Sequence, residues 1–154
     1  MDTDSSFTDI PKQPAFPIKT RQLSRDILGI PTDVTITSFV DKIWILVTQL
    51  GKVGSVVYNT VNTPASAFIP TGSEAIISSS FLLGSSTTIK GDLYRVYSSH
   101  IAAVIASQAP HERRPIVIAI ALKEEENEMK DGDYELSKRK MIEIVELIKE
   151  GRVW

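Results

Sequence analysis

The clearest hydrophobic pattern lies between Asp33 and Leu50, where DVTITSFV and IWILVTQL read as two strands with apolar and polar positions alternating. Both runs are rich in β-branched and aromatic residues, which suit a pleated, half-buried surface. A two-residue turn at Asp41 and Lys42 would pair Val40 with Ile43, Ser38 with Ile45 and Ile36 with Val47. Cross-strand partners share a face, so Val34, Ile36, Val40, Ile43, Ile45 and Val47 form one strongly apolar face. Thr35, Thr37, Phe39, Trp44, Leu46 and Thr48 form the other, which is amphipathic and uncharged.

The flanking pattern extends this pair into a sheet. Residues 18–27 predict a weak first strand, punctuated by GIPT, where Pro31 fixes a turn. After GKVG, SVVYN predicts a fourth strand and AIISSSFLLG contains a fifth, with a long loop at Val61–Ala75 between them. Asp92 is placed to cap a helix, along which Leu93, Val96, Tyr97, Ile101, Val104 and Ile105 recur on one face. That helix should stop near Gln108, before Pro110. PIVIAIAL is continuously apolar, as expected of a strand in the middle of a sheet. Lys123–Asp133 reads as an acidic, solvated connector. A last helix is predicted over Tyr134–Glu150, with Met141, Ile144, Val145 and Ile148 inward and Gly151 at a left-handed C-cap.

Strands, helix, strand, helix: this order predicts a single α+β domain, with a mostly antiparallel sheet of about six strands and two helices on one face. Nothing left in the chain is long or apolar enough to cover the other face, which carries Phe39, Trp44 and Leu46. An uncharged face bearing a tryptophan is expected to bind a partner. The sheet therefore predicts a dimer, homo- or hetero-, with a partner sheet packed on Thr35, Thr37, Phe39, Trp44, Leu46 and Thr48.

Composition narrows the function classes. The chain has 154 residues, 42% hydrophobic and 23% charged, as one ordinary globular domain has. A net charge of −2 gives no global attraction to nucleic acid or anionic membrane. With no cysteine, disulfides, thiolate-bound zinc and thiol catalysis are excluded. Residues 1–16 are polar and acidic, with no apolar run, and read as a disordered leader ahead of a domain at 17–154. IWILV is far too short to span a bilayer. The expected location is cytoplasmic or nuclear.

Candidate chemistry is sparse. GKVG lacks the spacing and the following helix of a phosphate loop. It also lies between strands, whereas the RNA-clamping GXXG loop joins helices. An RNA- or nucleotide-binding loop remains the alternative to a hairpin turn in which glycine supplies positive φ. His100 and His111 have no neighbours at metal-ligand or base–nucleophile spacing. Glu124, Glu125, Glu126 and Glu128 form a solvated charge run, and the serines from Ser78 to Ser86 have no nucleophile elbow. HERR, from His111 to Arg114, reads as a solvated loop, with an anion or an acidic partner surface as its other reading. No enzyme activity, cofactor or metal is expected.

VTQLGKVG, from Val47 to Gly54, resembles the central hairpin of the proteasome assembly chaperone 3 family. GIPT followed by Val34, LLG at Leu82–Gly84, Ser107–Gln108, the apolar strand ending in Lys123 and the final Val153–Trp154 match in the same order. The resemblance implies a non-enzymatic chaperone of 20S proteasome assembly. It implies pairing, sheet on sheet, with a related chaperone, proteasome assembly chaperone 4, or with itself. It also implies binding to α-subunits as their ring forms, and departure before the particle is complete. Lys52, Phe68, Arg113 and Arg114 are the expected α-subunit contacts. The leader and the acidic connector are longer than the family pattern.

Overall fold

The computed structural model describes residues 18–62, 75–123 and 134–154. In chain order the elements are β1 (Lys19–Ile27), β2 (Ile30–Ser38), β3 (Ile43–Thr48), β4 (Ser55–Asn62), β5 (Ile76–Leu83), α1 (Ile89–Gln108), β6 (Ile116–Ala121) and α2 (Tyr134–Glu150). The strands form one six-stranded sheet in the order β1-β2-β3-β6-β4-β5. Four neighbouring pairs are antiparallel, and β3 with β6 is the parallel one. Both helices lie on one face, α1 over β4, β5 and β6 and α2 over β1 and β2. This is the α+β architecture expected. The leader, most of the long loop with Phe68, and most of the acidic connector lie outside the described residues.

The core sits between sheet and helices. Val34, Ile36, Ile43, Ile45, Val47, Ile116, Ile118 and Ile120 are fully buried against Tyr94, Tyr97, Ile101, Ile105, Ile144 and Ile148. Met141, Val153 and Trp154, each partly buried, pack against this cluster. Every residue of β6 is buried, because the strand has a neighbour on each side and cover on both faces.

Several local expectations are corrected. β2 and β3 are joined through four residues, Phe39–Lys42, with the Phe39 amide donating to the Lys42 carbonyl at 2.9 Å. Ser38 therefore pairs with Ile43 and Ile36 with Ile45. The slip is by two residues, so the residues that stay in the strands keep their faces, but Phe39 and Val40 leave the sheet for the loop, where Val40 is 94% exposed. A two-residue hairpin needs positive φ at its central positions, and Asp41–Lys42 supplies no glycine for it. Leu28–Gly29 does form such a turn, with φ of 53° and 80°, so β2 begins at Ile30 and includes Pro31.

The longer β2–β3 connection is held by a clamp. The Arg114 guanidinium donates twice to the Glu112 carboxylate, at 2.9 and 2.6 Å, and also to Ser38 Oγ at 2.8 Å and the Phe39 carbonyl at 2.6 Å. Bidentate charge-assisted bonds of this kind are among the stronger polar contacts. HERR is thus a structural tie between the α1–β6 connection and the end of β2, and not a solvated loop.

α1 starts one turn earlier than expected. Thr88, not Asp92, is the N-cap, and its Oγ1 accepts from the Gly91 amide at 3.0 Å. Asp92 lies in the first turn, where a negative charge suits the helix dipole. The sheet-facing stripe is Tyr94, Ser98, Ile101, Ala102 and Ile105, and Val96 is 52% exposed. Buried Asn59 sets this rotation. Its Nδ2 donates to Ser98 Oγ at 2.7 Å and to the Ile116 carbonyl at 3.1 Å, while its Oδ1 accepts from Ser79 Oγ at 2.6 Å. One amide ties β4, β5, β6 and α1 together.

β3 and β4 are not a hairpin, because β6 lies between them. GKVG instead belongs to a strap that crosses the end of β6. The Gln49 amide donates to the Ala121 carbonyl at 2.8 Å, and the Gln49 side chain joins Thr32 Oγ1 to the Lys123 amide. Leu50 is exposed, and Ser55 pairs with Ile120. Gly51 and Gly54 both have positive φ, 64° and 67°. Only Gly54 is crowded: a Cβ there would lie 2.2 Å from the Ile120 carbonyl oxygen. Gly151, by contrast, has no positive φ. It is required because a Cβ would meet Ile36 Cδ1 and Leu23 Cδ1, each at 2.8 Å.

Two measurements follow. Gly51→Ala should lose about 1 kcal/mol, from backbone strain alone, whereas Gly54→Ala should lose about 2–4 kcal/mol, adding the carbonyl clash; urea unfolding of the pair separates the two. Glu112 is held down to about 2, first by the Arg114 hydrogen bond, from an ordinary 4.5. A depressed carboxylate stabilises the fold fully above pH 4.5 and loses that contribution as the pH falls toward 2. Glu112→Gln should therefore cost about 1 kcal/mol at neutral pH, discounted for partial exposure. Its deficit against wild type should vanish across that acid window in pH-dependent unfolding.

Candidate functional site

The face of the sheet opposite the helices is built from two rows of side chains that run across the strands. In the first row, Thr37 pairs with Trp44, Trp44 with Val117, Val117 with Tyr58 and Tyr58 with Ser80. In the second, Thr35 pairs with Leu46, Leu46 with Ala119, Ala119 with Val56 and Val56 with Leu83. Thr20 and Gln22 of β1 continue the rows at one side. No position in either row is charged.

The centre of this face is a second, smaller apolar cluster. Val56, Val117 and Ala119 are buried within it, and Trp44, Leu46 and Tyr58 pack over them while keeping part of their surface open. The large side chains thus stand as a shallow ridge over the small ones. Such an arrangement offers apolar area with little conformational entropy to lose, because aromatic side chains have few rotatable bonds. Among the described residues, no helix or loop covers it.

The structure brings together Thr35, Thr37, Trp44 and Leu46, as the alternation predicted. Phe39 stands apart in the β2–β3 connection, where the Lys42 ammonium lies 5.6 Å from its ring centroid. Thr48 is buried, and its Oγ1 accepts from the Leu50 and Lys52 amides, both at 3.2 Å. It therefore holds the strap and does not present its hydroxyl to a partner. Val56, Tyr58, Val117 and Ala119 were missed, because their membership depends on β6 entering between β3 and β4. The signal in the sequence was the absence of any polar position in IVIAIA, which requires cover on both faces.

The strap itself offers little to a phosphate. Two of its amides already donate to Thr48 Oγ1, and a strand follows it. Lys52 is exposed and, with Lys90, borders a cleft of about 270 Å³ between the strap and the start of α1. Arg113 is exposed, whereas Arg114 is engaged in the clamp. His100 and His111 are both exposed. Among the described residues, no three His, Asp or Glu side chains group as metal ligands would, and no helix is long and apolar enough to cross a membrane.

Comparison with known proteins gives this face a context. The family model for proteasome assembly chaperone 3 matches residues 45–132, more than half of the 154-residue chain. Proteasome assembly chaperone 3 of Homo sapiens is 28% identical over 108 residues, spanning 70% of this chain and 80% of its own length. The Bos taurus protein is 28% identical over 111 residues, spanning 72% and 83%. A chain from the crystal structure of a chaperone complex for yeast 20S proteasome assembly matches with a TM-score of 0.59. At 16% identity it covers 88% of this chain and 98% of its own, a likeness of fold. The matched stretch carries β3 from Ile45 onward, the strap, β4 and β6, which supply Leu46, Val56, Tyr58, Val117 and Ala119 of the uncovered face, and the chain belongs to the proteasome assembly chaperone 3 family of proteasome assembly chaperones.

Proposed function

We propose that the chain works in 20S proteasome assembly as one half of a sheet-on-sheet dimer. Its partner is a related chaperone of the proteasome assembly chaperone 4 type, or a second copy of the chain. The dimer holds α-subunits in register while their ring forms, and leaves before the particle is complete. It acts by binding alone, with no turnover chemistry, in the cytoplasm or nucleus. The observation that carries this reading is the uncharged double row centred on Trp44, Tyr58 and Leu46, which has apolar area to bury and no described element to bury it. That the yeast relative of like fold belongs to a chaperone complex supports it.

For the α-subunit we assign Lys52 on the strap, Arg113 beside the clamp and Phe68 in the loop beyond the described residues. Arg114 serves that surface by fixing the connection on which Arg113 stands.

Placing a carboxylate under a partner sheet strands a charge in a desolvated interface. Trp44→Asp should therefore weaken dimerisation about 100-fold or more, read by sedimentation equilibrium, while circular dichroism shows the fold retained. Unchanged affinity in a folded Trp44→Asp protein would overturn the assignment of the face. Lys52→Ala should reduce co-purification of α-subunits, scored by mass spectrometry, and leave dimerisation as in wild type.

A further inference from the structure

The two edges of the sheet differ in kind. β1 carries Lys19, Arg21, Arg25 and Asp26 along its length, and charge on an edge strand is a common guard against unwanted pairing. β5, at the opposite edge, has no such guard. Its sequence is IISSSFLL, and no charged residue or proline occurs from Ala75 to Ile89. Among the described residues its only strand neighbour is β4. Ile76, Leu82 and Leu83 are 56, 61 and 57% exposed.

We propose that the free edge of β5 pairs antiparallel with β5 of a second copy of this chain, about a twofold axis through Ser79. The identity of the occupant comes from the strand's own pattern. IISSSFLL reads nearly the same in both directions, apolar at its ends and serine in the middle. With Ser79 on the axis, Ile77 stands opposite the partner's Phe81 on the helix side. Leu82 is the bulge residue, with no partner on β4, so the regular pairing runs from Ile77 to Phe81. Each apolar residue meets an apolar residue, and Ser78 meets the partner's Ser80. β-Branched and aromatic pairs of this sort stabilise antiparallel strands. A foreign strand would have to supply the same order of residues; a second copy supplies it by symmetry.

The flank of α1 above the edge carries Arg95 and two small residues. Tyr97 faces α2, where its hydroxyl donates to the Ser137 carbonyl, and Arg95 lies over the Phe81 ring on β5. The side of α1 toward the edge is then that of Ser99 and Ala106, both small and partly exposed. The irregularity in the β4–β5 register falls at Leu82, after Phe81, so the straight part of the strand contains the axis. The product is one continuous sheet running through both copies. Their uncovered faces lie on the same side, and each stays free for the stacking proposed above, so the two interfaces stand or fall separately.

The chain has no cysteine, which makes the register directly testable. Ser78→Cys and Ser80→Cys proteins are mixed and oxidised, each also treated alone. Directly opposed positions are within disulfide reach, whereas the diagonal ones met in either protein alone, about 7–8 Å apart, are not. The expected result is a covalent dimer formed several-fold more in the mixture than in either alone, and retained when both proteins also carry Trp44→Asp. Loss of the cross-link in the Trp44→Asp background, or equal yields in the single proteins, would overturn the edge pairing. Wild-type protein gives an independent reading by amide hydrogen exchange. Protection over Ser78–Leu82 should rise with protein concentration, while β1 stays unchanged. Protection that is flat with concentration, or that appears only on adding α-subunits, would overturn the second copy as occupant.

Discussion

A strand with no polar residue has to be covered on both faces and paired on both edges, and Ile116–Ala121 is such a strand. The burial it demands organises the sheet around it. β3 and β4 are driven apart to flank it, and the helices cover Ile116, Ile118 and Ile120 from one side. On the other side, among the described residues, neighbouring side chains alone shelter Val117 and Ala119. Trp44, Leu46, Val56 and Tyr58 gather there for that reason. The ridge proposed to meet a partner is therefore the outer surface of β6's own shelter.

Once β6 is central, the polar residues near it become register marks. Asn59 finds partners on two strands and a helix, Gln49 fixes the strap to both β2 and the end of β6, and Tyr94 accepts the Leu122 amide as the chain leaves β6. A slipped strand would leave one of these buried groups without a partner, at a penalty comparable to several lost surface contacts. These side chains hold a rigid platform. A binding face mounted on such a frame loses little freedom when it is occupied.

The strands and helices were legible in the sequence because each has a strong local signal. Period-two alternation gave β2 and β3, helical spacing gave α2, and the unbroken apolar run gave β6. What was not legible was long-range. Nothing local tells β4 to pair with β6 rather than with β3, so the β3–β4 hairpin was the natural reading of two strands around a glycine pair. The rotation of α1 was misjudged because a serine, Ser98, faces the core through one hydrogen bond that no hydropathy pattern registers. Buried Lys140, whose ammonium donates to the Lys123 carbonyl, was hidden for the same reason. Half of the uncovered face was readable from β2 and β3; the other half required the sheet order.

The central strand in space is the last strand of the sheet in sequence. While the chain is being made, β1–β3 and β4–β5 can each form a hairpin or meander, but each then ends in an edge with nothing beside it. Only when residues 116–121 emerge can the two halves be joined, by contacts far apart along the chain that close slowly. During that interval both halves expose apolar edges of the sort on which other nascent chains assemble. A member of a family of assembly chaperones is, by its own strand order, itself incompletely assembled for most of its synthesis.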